Sequence, residues 1–302
     1  MASIQDIRRR IRSVKSTGKI TRAMEMISSV KMRKASERVL RLREYAKGVA
    51  ALFDVVSRSS DVRAHIPLFV ERPIRTALFV VITSNRGLCG SFNAETIRRV
   101  RRESTEFLKE NPGASIQFLS LGKKGDARLR FLSGTIIASF PDIVAVPSAE
   151  GARTVARFAI DGFLSGSWDE VRIFYTDYVS ALLQKSRMRR MLPVFQQDVE
   201  EQLGDINPED TSLTRLRAEY LIEPNPETVL RELVARLVEA EVLHALLESN
   251  ASEEAARMAA MHNATDAAKE MESDFTLTYN QLRQQKVTQE IAELSAGMAA
   301  VS

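Results

Sequence analysis

Between Glu227 and Ser302 the chain contains no proline and a single glycine, Gly297. Good helix formers fill the whole stretch, and an unbroken helix there would reach roughly 110 Å at about 1.5 Å per residue. Helices of globular proteins average roughly 11–12 residues. A small domain has no core long enough to cover such a helix, so it must project from the body and find its partner elsewhere.

The other end of the chain offers that partner. From Ser3 to Ala64 proline is again absent, and the glycines are Gly18 and Gly48. Ile4, Ile7, Ile11, Val14, Gly18 and Thr21 follow 3–4 spacing; the pattern then shifts phase to Ile20, Met24 and Ile27, and resumes as Leu42, Tyr45, Val49, Leu52 and Val56. The last quarter carries a similar stripe through Leu230, Leu233, Leu237, Ala240, His244, Leu247 and Ala251, then Met258, Met261, Ala268, Phe275, Tyr279 and Leu282. Two narrow, interrupted stripes at opposite ends predict one antiparallel coiled coil with irregular winding. Charge agrees. Residues 1–60 hold fifteen bases against five acids, and residues 227–302 hold thirteen acids against six bases. Opposite signs favour pairing, and the basic surplus of the first helix also suits an acidic partner protein.

Hydrophobic residues at 44% and charged residues at 27% are ordinary for a soluble protein. No apolar run approaches the roughly 18 residues that span a bilayer. Asp6 and Glu25 interrupt the Arg-rich start, and its helical stripe continues past any cleavage site, so a targeting peptide is not expected. Cys89 is the sole cysteine, and His65, His244 and His262 form no cluster, so neither an internal disulfide nor a metal site is expected.

The middle of the chain alternates strands with helices. Ala77 to Thr83 reads as a buried strand, followed by the loop Ser84 to Ser91 and an amphipathic helix from Asn93 to Glu110 that Asn111-Pro112-Gly113 stops. Strands at Ser115 to Leu121, Gly134 to Ser139 and Glu170 to Tyr178 alternate with helices at Gly122 to Phe131 and Ala149 to Ser165, and Leu182 to Val194 reads as a hairpin partner. This pattern predicts a mostly parallel sheet in a three-layer sandwich. The expected organisation is residues 1–66 as the N-terminal coiled-coil helix, 67–200 as the α/β domain, 201–226 as a linker, and 227–302 as the C-terminal coiled-coil helix.

Enzyme chemistry finds little support in these residues. Gly87-Leu88-Cys89-Gly90 lacks dinucleotide-binding spacing, and no Walker-type phosphate loop occurs. Gly122-Lys123-Lys124-Gly125 offers backbone N–H groups to an anion, but a single short loop of this kind is more often a plain strand-to-helix turn. Cys89 has no histidine nearby in sequence, and Asp142, Asp161, Asp169 and Asp177 are scattered. Three classes remain: a mechanical protein working through its coiled coil, a nucleotide-using enzyme with helical extensions, and a nucleic-acid binder using the basic helix. The missing phosphate loops argue against the second, and the acidic C-terminal partner argues against the third.

Several motifs then identify a family. Gly18 to Ile27 (GKITRAMEMI), Lys31 to Lys34 (KMRK), Ser84 to Asn93 (SNRGLCGSFN) and Tyr220 to Pro224 (YLIEP) resemble the gamma subunit of F-type ATP synthase. So do Arg257 to Ala268 (RMAAMHNATDAA), Leu277 to Asn280 (LTYN) and Val287 to Ile291 (VTQEI). The resemblance spans essentially the whole chain. It implies an α/β fold in which the N- and C-terminal helices form a long antiparallel coiled coil beside a central Rossmann-like sandwich with a mostly parallel sheet. It implies a rotor shaft inside a ring of three alpha and three beta subunits, with the α/β domain as a foot sitting, together with the epsilon subunit, on the membrane c ring. Ion flow turns ring and shaft, and the shaft drives the beta subunits through their nucleotide affinities.

By the same resemblance the chain has no catalytic, cofactor or metal site of its own and binds no nucleic acid. It belongs peripherally on the cytoplasmic face of a bacterial plasma membrane. Arg22, Met24, Gln284, Thr288 and Glu290 match contacts with a beta subunit, Arg257 a coupling position, and Tyr220 and Glu223 positions facing the c ring. Small residues near the tip, from Ala292 to Ala300, suit a smooth bearing. Lys286 stands where small residues are usual and His262 where lysine is frequent. The extra segment of photosynthetic members has no counterpart, so light-linked redox control is not expected.

Overall fold

The computed structural model describes residues 3–57, 66–132, 134–195 and 225–301. In chain order these form α1 (Ile4–Ser57), β1 (Thr76–Ile82), α2 (Phe92–Glu110), β2 (Ser115–Leu121), α3 (Lys123–Leu129), β3 (Thr135–Ser139), α4 (Pro141–Ala145), α5 (Ala149–Leu164), β4 (Glu170–Tyr178), β5 (Gln184–Leu192) and α6 (Pro226–Val301). A 3₁₀ turn, Pro67–Phe69, precedes β1. The expected 201–226 linker lies almost wholly outside the described residues. The short helix α4 was not foreseen from sequence: it is five residues long, started by Pro141 at its first turn, and too short to show a periodicity.

The strands form one sheet in the order β3-β2-β1-β4-β5. All neighbours are parallel except β4 and β5, which pair antiparallel as a hairpin. The central strand explains the layering. β1 is apolar at every position after Thr76, so both of its faces must be covered. Leu78, Val80 and Ile82 pack with α5 and with the first turns of α6, including Leu230, Val234, Val238 and Val242. Ala77, Phe79 and Val81 face α2 and α3 through Ile97, Val100, Phe107 and Leu129. On the first face Trp168 donates its indole N–H to the Ala159 carbonyl at 2.9 Å. Its ring lies so close to α5 that a Cβ on Gly162 would fall 1.8 Å from it. Gly162→Ala is therefore expected to destabilise this sandwich by about 3 kcal/mol, the range of core overpacking, and a fall in the urea midpoint followed by circular dichroism checks it.

Contacts divide the chain into two compact units, Val30–Ala256 and Met1–Ser29 with Arg257–Ser302. Within the first unit the lower parts of both long helices pack beside the sheet. Ala35, Val39 and Leu42 of α1 meet Leu247 and Ala251 of α6, and Lys31 pairs with Glu254 at 3.7 Å.

Within the second unit α1 and α6 run antiparallel. Thr21 and Thr265 share a hydrogen bond of 2.8 Å, Lys15 reaches Glu272 at 3.2 Å, and the Arg10 guanidinium lies 5.9 Å from the Phe275 ring. As one residue number rises the other falls, so the register holds along the pair. The phase shift expected after Thr21 does not occur. Ile20 and Ile27 are 58% and 56% exposed, whereas Thr21 and Ser28 are buried at 8% and 2%. The seam keeps its 3–4 spacing through polar side chains here, next to the point where the helices approach closely at Gly18. A Cβ on Gly18 would sit 3.3 Å from the Ala268 Cβ. Small residues on both sides permit that approach, and the bulky ones turn outward.

Candidate functional site

In an open parallel sheet, ligands favour the crevice beyond the carboxyl ends of the strands, where the connections diverge. Here that is the end of β1 and its neighbours β2 and β4. The Gly122–Gly125 segment is a turn in which the N–H groups of Lys123, Lys124 and Gly125 already have acceptors. The N–H of Lys123 goes to Asn85 Oδ1 at 3.0 Å, that of Lys124 to the Ser84 carbonyl at 3.0 Å, and that of Gly125 to Thr83 Oγ1 at 2.9 Å. Gly122 has φ +122° and a Cβ there would lie 2.1 Å from the Thr83 carbonyl oxygen, so only glycine fits.

The Ser84–Asn93 loop is tied in the same inward way. Asn93 donates to Ser84 Oγ at 2.7 Å and to Cys89 Sγ at 3.2 Å, and the Ser84 hydroxyl donates to the Arg86 carbonyl at 2.6 Å. Cys89 is 2% exposed and packs as a small core residue. Asp169 accepts the N–H groups of Arg75 and Thr76, and Asp177 pairs with Arg187 at 2.9 Å. These carboxylates secure strand ends.

The long helices present the other candidate surfaces. Heptad pairing of α1 with α6 carries buried or half-buried seam positions as far as Phe275, Tyr279 and Leu282 on α6. Every residue from 283 to 296 is exposed. Over this stretch Val287, Ile291 and Leu294, with Met298 beyond, recur at helical spacing and are 46%, 59%, 70% and 72% exposed. On α1 the outward Ile20, Met26, Ile27 and Val30 are each more than half exposed. Clustered exposed apolar residues of this kind mark interaction surfaces. Around Gly18 and Ala268 the pair also opens a groove of about 520 Å³, edged by Lys15, Lys19, Arg22 and Lys269. No helix among the described residues is long and apolar enough to cross a membrane.

The family profile described as ATP synthase matches residues 3–301. A protein named ATP synthase gamma chain from Moorella thermoacetica is 40% identical, over 100% of this chain and 100% of its own length. The same-named protein of Roseiflexus castenholzii is 37% identical, over 100% of this chain and 99% of its own. This chain belongs to the ATP synthase gamma chain family. Among solved structures, the central stalk and c-ring assembly of Tetrahymena thermophila mitochondrial ATP synthase contains a chain with TM-score 0.57 at 25% identity, covering 81% of this chain and 99% of that one. A chain of the Euglena gracilis mitochondrial enzyme aligns over 99% of this chain and 94% of its own, with TM-score 0.64 at 22% identity, and so shows a shared fold.

The residues matched to the family's contacts occupy different surroundings. Arg22 is exposed and grips Glu25 with one guanidinium nitrogen 2.9 Å from both carboxylate oxygens. Glu25 is a seam position, and across the pair His262 Nδ1 lies 3.2 Å from it, while His262 Nε2 lies 3.4 Å from Asp266. Burial alone would raise the Glu25 carboxyl, but hydrogen bonds from Arg22 and His262 outweigh it and hold it below its ordinary 4.5. A depressed folded-state value means that the stabilisation is present above the ordinary value and lost as pH falls through the depressed one. Helical content of the paired region should therefore hold as pH drops to about 4.5 and fall only below it, as circular dichroism in an acid titration would show.

Met24 is half-buried beside the seam, and Arg257 is buried at 7%. Gln284 and Thr288 share one face of α6, four residues apart. Glu290 follows Thr288 by two residues, roughly 200° around the helix, and there meets Lys286 at 3.7 Å. The three polar positions thus point to two sides of the exposed segment. Tyr220 and Glu223 lie outside the described residues. Sequence reasoning missed Glu25, Ser28 and Thr265 as seam residues. The signal that finds them is unbroken spacing: following the 3–4 rhythm from Ile4, rather than hydrophobicity, reaches all of the α1 positions.

Proposed function

We propose that this chain is the central rotor shaft of an F-type ATP synthase, carrying torque between a membrane c ring and a catalytic ring of three alpha and three beta subunits. The observation that carries this reading, beside family membership, is the stretch of α6 past Leu282. A long exposed helix with an apolar stripe suits a sleeve supplied by other subunits. In this reading residues 1–66 and 227–302 are the shaft, 67–200 the foot, and 201–226 a linker. Gln284, Thr288 and Glu290 catch a beta subunit from two sides of the tip, and Arg22 and Met24 meet one lower down. Arg257 acts in coupling, and Tyr220 and Glu223 face the c ring, which the foot joins together with epsilon. The chain supplies no catalytic group; the chemistry belongs to the ring, and its place is the cytoplasmic face of a bacterial membrane. The loop donors spent on Thr83, Ser84 and Asn85 support this assignment over an independent nucleotide enzyme.

Reconstitution with alpha and beta subunits tests the proposal. One copy per three beta subunits and a gain in multisite ATP turnover are expected. Absence of a complex, together with ATP hydrolysis by the isolated chain, would overturn it. Replacing Gln284, Thr288 and Glu290 together by alanine should lower turnover or ion pumping while leaving thermal unfolding within about 0.5 kcal/mol, since exposed helix changes cost little. Unchanged pumping in that variant would remove these residues from the interface.

A further inference from the structure

The ladder between β1 and β4 ends at Val81 and Phe174. Two residues further on, the backbone of β4 is taken over by side chains of α6. The Thr176 N–H donates to Ser249 Oγ at 3.1 Å, the Ser252 hydroxyl donates to the Thr176 carbonyl at 3.1 Å, and the Tyr178 N–H donates to Glu248 Oε2 at 2.8 Å. Glu248, Ser249 and Ser252 are 0%, 1% and 0% exposed. His244, one turn back on α6, sets its Nε2 3.3 Å from the other Glu248 oxygen. On its far side Thr176 is tied to α2: Thr96 donates to the Phe92 carbonyl at 3.1 Å, which leaves the Thr176 hydroxyl to donate to Thr96 Oγ1 at 3.2 Å. All of these residues lie in the unit Val30–Ala256.

These bonds hold the helix on the sheet directionally. Elsewhere α6 lies on the sheet through Leu230, Val234, Leu237, Val238, Val242 and Leu246. Apolar packing of that kind is non-directional, and it resists separation more than rolling or sliding. Hydrogen bonds weaken steeply once their angle falls, and a buried polar group left unpaired costs about 1–3 kcal/mol. Three such bonds within two turns of α6, two of them on the backbone of a single β4 residue, fix the rotational setting of the helix about its own axis.

We infer that Glu248, Ser249 and Ser252 form a latch on the end of β4 through which the foot turns the shaft. They are positioning residues: they touch no substrate, and they act by denying α6 the freedom to roll on the sheet. The inference rests on the rotor reading above, since only a part that transmits torque needs rotational stiffness at this joint.

The test uses the complete complex in vesicles, carrying Ser249→Ala with Ser252→Ala. Both substitutions keep a good helix former, so α6 itself is preserved. ATP hydrolysis is expected within about twofold of wild type, while the ratio of ion pumping to hydrolysis falls about threefold. The torsional stiffness of the rotor, read from the fluctuations of a bead on the shaft with the foot immobilised, is expected to fall to about half. Glu248→Gln, which keeps an acceptor for the Tyr178 N–H, and Ser249→Thr, which keeps the hydroxyl, should stay near the wild-type ratio and stiffness. Wild-type stiffness and pumping ratio in the double variant would overturn the latch. So would a parallel loss of hydrolysis, pumping and assembly in all variants alike, because that is the mark of a general folding defect. Failure of the wild-type chain to assemble would instead overturn the rotor reading and is seen before any variant is compared.

Discussion

A chain ending at Leu282 is expected to fold as before but to lose about tenfold in multisite ATP turnover and ion pumping when assembled with its ring, a change equivalent to about 1.4 kcal/mol. The asymmetry follows from burial. Residues 283–296 are all exposed, so their removal takes little from the chain's own packing. What goes is the stripe of Val287, Ile291, Leu294 and Met298, together with Gln284, Thr288 and Glu290. Burying even one such side chain in a sleeve contributes about 1.5–3 kcal/mol. Fluorescence of Trp168, the single tryptophan and a buried part of the sheet domain, should show an unchanged urea midpoint. Full turnover and pumping in the truncated chain would mean that the tip carries no bearing.

Phe79→Ala should have the largest effect on stability, about 4 kcal/mol. Phe79 is completely buried at the centre of β1. Its ring lies 5.0 Å from that of Phe174, 5.6 Å from Phe107 and 6.1 Å from Phe118. The Arg172 guanidinium, paired with Glu170, lies 5.8 Å over the same ring and 5.0 Å over Phe107. Truncation removes one member from each contact and leaves a cavity that four surrounding groups, anchored on β2, β4 and α2, cannot all close. The Trp168 urea midpoint would register the loss. A shift of less than about 1 kcal/mol would show that the rings collapse to fill the gap, in which case the aromatic cluster is not what holds the sheet to α2.

Much of this molecule can be read without coordinates. The lack of proline in both terminal stretches, their 3–4 spacing and their opposite charge are local properties of composition and period, and they dictate two long paired helices. The uniformly apolar β1 demands cover on both faces. The order of strands and helices demands a mostly parallel sheet, and the run of motifs from Gly18 to Ile291 carries the family. These signals sit in contiguous residues, where side-chain period and backbone chemistry act directly.

Tertiary structure decided the rest, because it depends on residues far apart in the chain. Ile20 and Ile27 looked like seam residues and lie outside, because Thr21 and Ser28 take the inward positions, and next to Ile20 the helices close to Gly18 against Ala268. The Gly122–Gly125 segment reads as a plain turn, but that its Lys123, Lys124 and Gly125 N–H groups go to Asn85, Ser84 and Thr83, some forty residues earlier, shows only in the packed chain. Ser249 and Ser252 carry no sign in their spacing that they bond to Thr176, whose partner is set by where β1 stops and α6 passes. Period and composition specify which elements form. Only the packed chain determines how closely they approach, and that distance selects which side chains are inside and which polar groups remain free to act.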